Sequence, residues 1–169
     1  MPTGSPPLTW EGRYAQAVAQ LTTPGGPAFY VLAVAAKAAF ELGKIDEAGR
    51  YARDLLNAAP QFAHDWNYGN AIHDGHMVLG RIALRQGDAE AAKEHLIQAG
   101  KTRGSPQLNS FGPNMSLAKD LLERHHPDAV IQYLELCSTF WEMEGGKLVE
   151  WAALARAGSL PDFGPNLVY

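Results

Sequence analysis

The chain has 169 residues, 46% of them apolar and 19% charged, a composition typical of one folded domain with a substantial core. Fourteen Lys and Arg against eighteen Asp and Glu give a formal charge of −4, which lacks the basic excess that nucleic-acid binding favours. The single cysteine excludes an internal disulfide, and no apolar run is long enough for a bilayer span or a signal peptide, so the sequence predicts a cytoplasmic protein with neither nucleic acid nor membrane as a partner.

Amphipathic helical segments follow one another along the chain, separated by loops rich in Gly and Pro. The predicted elements are an N-terminal helix at 8–21, helix pairs at about 28–60, 71–99 and 113–142, a capping helix at about 146–158 and a docked tail at 159–169. Strand patterns are nearly absent. The predicted fold is therefore all-α, with the three stacked antiparallel helix pairs in one domain of residues 1–169.

The three helix pairs share one register. The alignment that reveals it superimposes the ends of the first helices, at Gly43, Gly87 and His125. A small residue then recurs inside the first helices, at Ala36, Gly80 and Ala118. Three columns of apolar residues recur in the second helices: Ala48, Ala92 and Val130, then Ala52, Leu96 and Leu134, then Leu55, Ala99 and Cys137. Small residues at a fixed position let two helices approach closely, so this register predicts helical hairpins.

This pattern resembles the tetratricopeptide-repeat family, in which helix–turn–helix units stack into a curved array. The resemblance covers about residues 28–142 and is closest in GKIDEAGRYARDLLNAAP at 43–60. Uneven spacing places inserted loops at 61–70 and 100–112, which favours a compact variant. The resemblance implies a groove along the first helices that binds a protein or peptide segment. The second loop, with the Trp-containing C-terminal region, also resembles a group of bacterial repeat proteins that carries no assigned activity.

A cation follows the small residue in every copy, at Lys37, Arg81 and Lys119. The resemblance places this column on the groove, together with Tyr30 and Arg85. Three stacked cations would favour an acidic peptide. The alternative is a solvated helix face that merely carries Lys and Arg. The groove hypothesis predicts that replacing the three cations by Ala weakens partner capture and leaves the fold intact.

Histidine and asparagine cluster around the inserted loops. His73 and His76 are three residues apart and therefore share one helix face. They are either hydrogen-bonded core histidines, polar ligand contacts, or parts of a metal or acid–base site. Asn70 and Asn109 flank the two loops, where asparagine either caps turns or, where the loops converge, binds a polar ligand. The spacing matches no zinc motif, so neither a metal nor another cofactor is predicted.

The tetrapeptide FGPN occurs twice, at 111–114 and 163–166. In the first copy Pro113 is predicted to begin a helix, because proline suits the first helical position. The second copy belongs to the tail, which is predicted to be extended and docked on the helices. The two copies are either loop-and-anchor segments or parts of one recognition site, to which Phe111 would belong.

No Ser–His–Asp arrangement, phosphate-binding loop or Cys–His metal spacing is present. The predicted function is a protein- or peptide-binding helical-repeat scaffold without an evident catalytic motif. The alternative is a small-molecule-binding or enzymatic protein whose polar pocket is built from His73, His76 and the 61–70 and 100–112 loops. A third hypothesis is that the chain pairs with itself as a homodimer.

Overall fold

The computed structural model describes residues 8–25 and 28–168, and all regular structure in these two ranges is helical. The predicted all-α fold is confirmed. The helices are α1 Trp10–Thr22, α2 Ala28–Glu41, α3 Ile45–Ala58, α4 Tyr68–Arg85, α5 Ala89–Gly100, α6 Pro106–Phe111, α7 Ser116–Glu123, α8 Pro127–Cys137 and α9 Lys147–Arg156, with 3₁₀ turns at Ala59–Phe62 and Gly164–Leu167. None of these helices combines the length and apolarity that crossing a lipid bilayer demands. Two residues between the predicted N-terminal helix and the first predicted helix pair, and the last residue of the predicted tail, lie outside the described residues.

Consecutive helices pack against each other, α1 on α2, α2 on α3, α3 on α4 and α4 on α5. After the short α6, the same holds for α7 on α8 and α8 on α9. The first helices of neighbouring pairs are also in contact, α2 with α4 and α4 with α7, and α5 contacts α8. This arrangement brings the ends of α2, α4 and α7 to one side of the molecule, where the candidate site lies.

The three aligned turns have the same backbone geometry. Gly43, Gly87 and His125 adopt φ values of 74°, 86° and 63°, and His125 is the one residue other than glycine with a positive φ among those described. In each turn the next residue donates its N–H to the carbonyl five residues earlier, at 2.8 to 2.9 Å. This is the left-handed helix end that glycine adopts without strain. The register found in the sequence therefore corresponds to a repeated local structure.

The residues of the aligned columns are buried. All nine residues of the second-helix columns are at most 1% exposed, and the small residues of the first helices are buried as well. Gly80 shows why the position must be small: a Cβ there would lie 2.4 Å from Cδ2 of Leu117 in α7 and 3.0 Å from Cβ of His95 in α5. Both neighbouring helices approach α4 at this point.

The segment around the first FGPN copy differs from the prediction. Pro113 does not begin a helix, since α7 starts at Ser116. The side chain of Asn114 accepts a hydrogen bond from the N–H of Ser116 (2.8 Å), and this polar turn ends the non-helical stretch. In this part of the chain a proline instead begins α6 inside the inserted loop, where Ser105 Oγ accepts from the N–H of Leu108 (3.0 Å). The tail is not fully extended either, because Gly164–Leu167 forms a 3₁₀ turn.

Candidate functional site

A cleft of about 300 Å³ lies where α2, α4 and α7 end. Its walls are formed by residues from the last turns of these helices and by the residue that follows α7: Phe40, Glu41, Arg81, Leu84, Arg85, Asp120, Glu123 and Arg124. Three arginines and three carboxylates therefore face one cleft. Phe40 supplies an aromatic surface between them.

The charges of the cleft are arranged around the ring of Phe40. The guanidinium of Arg81 lies 4.3 Å from the ring centroid and donates to Glu41 Oε1 at 2.7 Å. Arg85 lies 5.4 Å from the same centroid and is exposed. Burial raises the pKa of Asp120, and the opposing attraction of Arg81 does not cancel this effect. A cleft of this kind presents a cationic and an anionic wall at once.

The predicted column of cations does not act together in this cleft, because only Arg81 lines it. Lys37 Nζ lies 2.9 Å from Oδ2 of Asp74, and Lys119 pairs with Glu123 one turn further along α7. Each member of the column thus has an acidic partner within the chain. This pairing removes the charge argument for a purely acidic peptide.

His73 lies inside the molecule, only 1% exposed, with both ring nitrogens in contact with polar groups. Its Nδ1 is 3.1 Å from Oδ1 of Asp74, and its Nε2 is 3.1 Å from the hydroxyl of Tyr133 in α8. Burial alone would raise the pKa of Asp74, but Lys37 and His73 outweigh it and hold that pKa well below its ordinary value. His73 is thus a member of a buried polar chain that links α2, α4 and α8.

His76 faces a second histidine that the sequence reasoning did not select. Nδ1 of His76 lies 3.0 Å from Nδ1 of His95 in α5. Burial, assisted by His95, lowers the pKa of His76 to about 4, and burial also lowers the pKa of His95. The pair is therefore neutral at pH 7, and one imidazole donates to the other.

The two inserted loops converge; Asn70 binds across to the second loop, whereas Asn109 binds within the second loop and to the segment that follows α8. Asn70 accepts a hydrogen bond from Ser105 Oγ (2.6 Å) and donates to Gln107 Oε1 (3.3 Å). The amide nitrogen of Asn109 donates to the carbonyls of Ser105 (3.0 Å) and Phe140 (2.8 Å). Asn70 thus holds the two loops together, and Asn109 ties the second loop to Phe140.

Backbone also meets backbone between these loops, at Gly69 and Gly104. A Cβ on Gly69 would lie 1.7 Å from the carbonyl oxygen of Gly104. The hydroxyl of Thr102 donates to the carbonyl of Gly69 at 2.8 Å. The contact leaves no room for a side chain at position 69.

Tyr30 lies outside the cleft, near the first inserted loop. Its hydroxyl donates to the carboxylate of Asp65, and its ring centroid is 6.1 Å from that of Trp66, which is 56% exposed. The aromatic pair forms an exposed apolar surface at the start of α2. Tyr30 and the cleft residues therefore belong to separate surfaces.

Phe111 lies where the two FGPN copies meet. Asn166 of the second copy donates its side-chain amide to the carbonyls of Phe111 (3.1 Å) and Pro113 (3.0 Å), and its own carbonyl accepts from the N–H of Met115 (2.7 Å). The duplication was the signal in the sequence that relates the two segments. Trp141, which packs at this junction, carried no such signal.

Within the described ranges, no three His, Cys, Asp or Glu side chains are grouped in a way that would hold a metal ion. Comparison of the chain with protein-family models, curated proteins and solved structures gives no significant match. The α2–α4–α7 cleft is the feature of the structure that bears most directly on function.

Proposed function

We propose that the chain is a non-catalytic binding module that takes a segment of another protein into the α2–α4–α7 cleft. The observation that carries this proposal is the convergence of three successive first helices on one cleft with charged walls and an aromatic base. The resemblance of the sequence to tetratricopeptide repeats supports it, since that family binds segments along its first helices. At about 300 Å³, the cleft accommodates a few side chains of a partner.

The partner segment carries charges of both signs. Arg85 is exposed and lies beside Phe40, so its guanidinium is positioned to receive a carboxylate of the partner in a two-pronged contact. Asp120 and Glu123 of α7 line the same cleft and would receive a Lys or Arg. The alternative function, a polar pocket around His73 and His76, has no comparable support, because both ring nitrogens of His73 and Nδ1 of His76 contact internal groups.

Site-specific photo-crosslinking tests the proposal. A photoreactive benzoylphenylalanine replaces Arg85 in the cleft and, as the matched control, Arg50, an exposed arginine beside an aromatic ring on α3. We expect a partner adduct at position 85 that is absent at position 50, in an extract of the cells from which the chain comes. Charge reversal by Arg85→Glu should then weaken binding of the identified partner by about tenfold, the loss of one charge-assisted contact.

Equal labelling at both positions, or none at position 85, would contradict the proposal. An adduct between two copies of the chain at position 85 would instead identify the cleft as a homodimer contact. The Arg85→Glu variant should keep the melting temperature of the parent chain, because Arg85 is exposed.

A further inference from the structure

A second pocket, of about 420 Å³, lies at the junction of the two FGPN copies, and it is separate from the cleft. The two copies form two of its sides, and Trp141, Met143 and Lys147 form a third. The junction has a fixed shape, because Gly112 packs directly on the indole of Trp141. A Cβ at Gly112 would lie 2.4 Å from Cε2 of that ring, and the residue has a φ of 84°.

Two residues that line this pocket each carry a hydrogen-bond donor without a partner among the described residues. The amide nitrogen Nδ2 of Asn114 and the indole nitrogen Nε1 of Trp141 are buried without an acceptor among the described residues. Their side chains are only 7% and 3% exposed. The orientation of the Asn114 amide is fixed, since its oxygen accepts from the N–H of Ser116 at 2.8 Å. Buried unpaired donors are rare in native proteins and are costly, so two at one pocket require an explanation.

The charge of the pocket indicates what would accept these bonds. Lys147 is the one charged residue among those described that line it, and its Nζ lies 5.6 Å from the ring centroid of Trp141. Most of the remaining wall is apolar, and the exposed side chains of Phe111, Met143 and Val168 lie at its mouth. Free N–H donors and one cation favour an anionic acceptor, and the apolar wall favours a hydrocarbon or aromatic body.

We propose that this junction is a binding site for a carboxylate attached to a small apolar body. The carboxylate oxygens accept hydrogen bonds from Asn114 Nδ2 and Trp141 Nε1, and Lys147 balances the charge. The apolar body lies against Phe111 and Met143, which are 79% and 71% exposed and would be covered by it. The volume of the pocket falls within the range of small-molecule sites.

The indole N–H signals in a nitrogen–proton correlation spectrum test this site directly. The chain has four tryptophans, and the signal of Trp141 is the one that disappears in Trp141→Phe. We expect indole-3-acetate and octanoate to shift this signal at submillimolar to millimolar concentration. Indole-3-acetamide, which has the same ring without the charge, should bind about tenfold more weakly. A shift of equal size with the acetamide would overturn the proposal.

Variants at the two donors separate binding from folding. Trp141→Phe keeps most of the ring and removes the N–H, and Asn114→Asp keeps the oxygen that binds Ser116 but replaces the free donor with a carboxylate. Each should weaken acid binding at least about fivefold, measured by titration calorimetry because Trp141→Phe lacks the Trp141 signal. The matched control Trp66→Phe, at an exposed site on another surface, should bind the acids as the parent chain does. Unchanged affinity in both donor variants would overturn the proposal.

The carboxylate could belong to a small acid or to the C-terminus of a protein chain. The peptide Ala-Ala-Phe, with either a free or an amidated C-terminus, distinguishes the two. Binding of the free acids assigns the pocket to small carboxylic acids. Binding of the free-ended peptide alone, with no effect of the amidated form, assigns the same chemistry to a chain terminus. If neither the acids nor the free-ended peptide shifts the Trp141 signal, the proposal fails.

Discussion

The hydroxyl of Tyr133 in α8 lies 3.1 Å from Nε2 of His73 in α4, and both side chains are at most 1% exposed. The same hydroxyl donates to the carbonyl of Asn114, also at 3.1 Å. One phenol therefore joins the second and third helix pairs to the segment that forms the FGPN junction.

Replacing Tyr133 with Phe should destabilise the fold without changing its shape. The ring remains, but His73 and the carbonyl of Asn114 lose a buried partner, which costs about 1–3 kcal/mol. For a chain of this length that corresponds to a fall in melting temperature of about 2–4 °C per kcal/mol. Thermal unfolding followed by circular dichroism measures it. Tyr68→Phe is the control, because the ring of Tyr68 contacts Arg103 and that contact survives; an equal loss in both variants would contradict the role of the Tyr133 hydroxyl.

Lys37 and Lys119 occupy equivalent positions in the register, but their substitution should have different consequences. Lys37→Met leaves Asp74 in a largely buried site without its cation and should cost about 2–4 kcal/mol, as for a broken buried ion pair. The side chains of this pair are 18% and 16% exposed. Urea unfolding measures the loss. The sequence alone predicts that replacing these cations leaves the fold intact. From the structure we instead expect a large loss of stability at Lys37.

Lys119→Met serves as the matched control. Its pair with Glu123 is an exposed contact along one helix, worth less than about 1 kcal/mol. A second control, Lys37→Met with Asp74→Asn, removes both charges and should recover part of the lost stability. If the single and double variants unfold at the same urea concentration, the pair contributes nothing through its charge.

The register of the helix pairs could be predicted from the sequence because burial and turn geometry repeat with it. Ala48, Ala92 and Val130 recur because each lies at the same depth in a helix pair. The third turn has His125 in place of glycine. It could still be aligned, because the small residue and the cation in the preceding helix lie at the same distance from it as in the first two pairs. Local and periodic constraints of this kind are visible in a single chain.

The side-chain partners could not be predicted, because they depend on how separate helices face each other. Lys37 meets Asp74 across two helices, and no spacing rule connects positions 37 residues apart. The duplication of FGPN indicated that the two segments are related. The hydrogen bond from Asn166 to the carbonyl of Phe111 could not be predicted, because it depends on the path of the tail over the helices. The cleft could not be predicted either, because it forms where three separate helices end side by side.

The protein should become less stable as the pH falls below about 6.5, the pKa of an unperturbed histidine. The pKa of His76 is about 4 in the folded chain, against 6.5 for an unperturbed histidine. Between these values the unfolded chain binds a proton that the folded chain does not. The free energy of unfolding therefore decreases as pH falls through this window, by at most about 1.4 kcal/mol per pH unit for one group. Partial exposure of the ring to water makes the slope smaller.

Urea unfolding at pH 7, 6 and 5 measures this dependence, with His76→Gln and His64→Gln compared. The first variant removes one ring of the buried pair and should flatten the curve. The second changes an exposed histidine in the first inserted loop and should leave the slope unchanged. Parallel curves for the parent chain and His76→Gln would contradict the assignment.

Two glycines inside helices should respond in opposite ways to alanine. At Gly69 the added Cβ would lie 1.7 Å from the carbonyl oxygen of Gly104, a backbone atom that cannot turn aside, so Gly69→Ala must separate the two inserted loops. The cost should reach about 2–4 kcal/mol, because displacement of the loop also strains the bond from Thr102 to the carbonyl at position 69. At Gly49 the nearest atom is the mobile end of Arg53, at 3.1 Å, so Gly49→Ala should stabilise α3 by about 0.5–1 kcal/mol. A melting temperature of Gly69→Ala equal to or above that of the parent chain would show that the loops do not meet through their backbones.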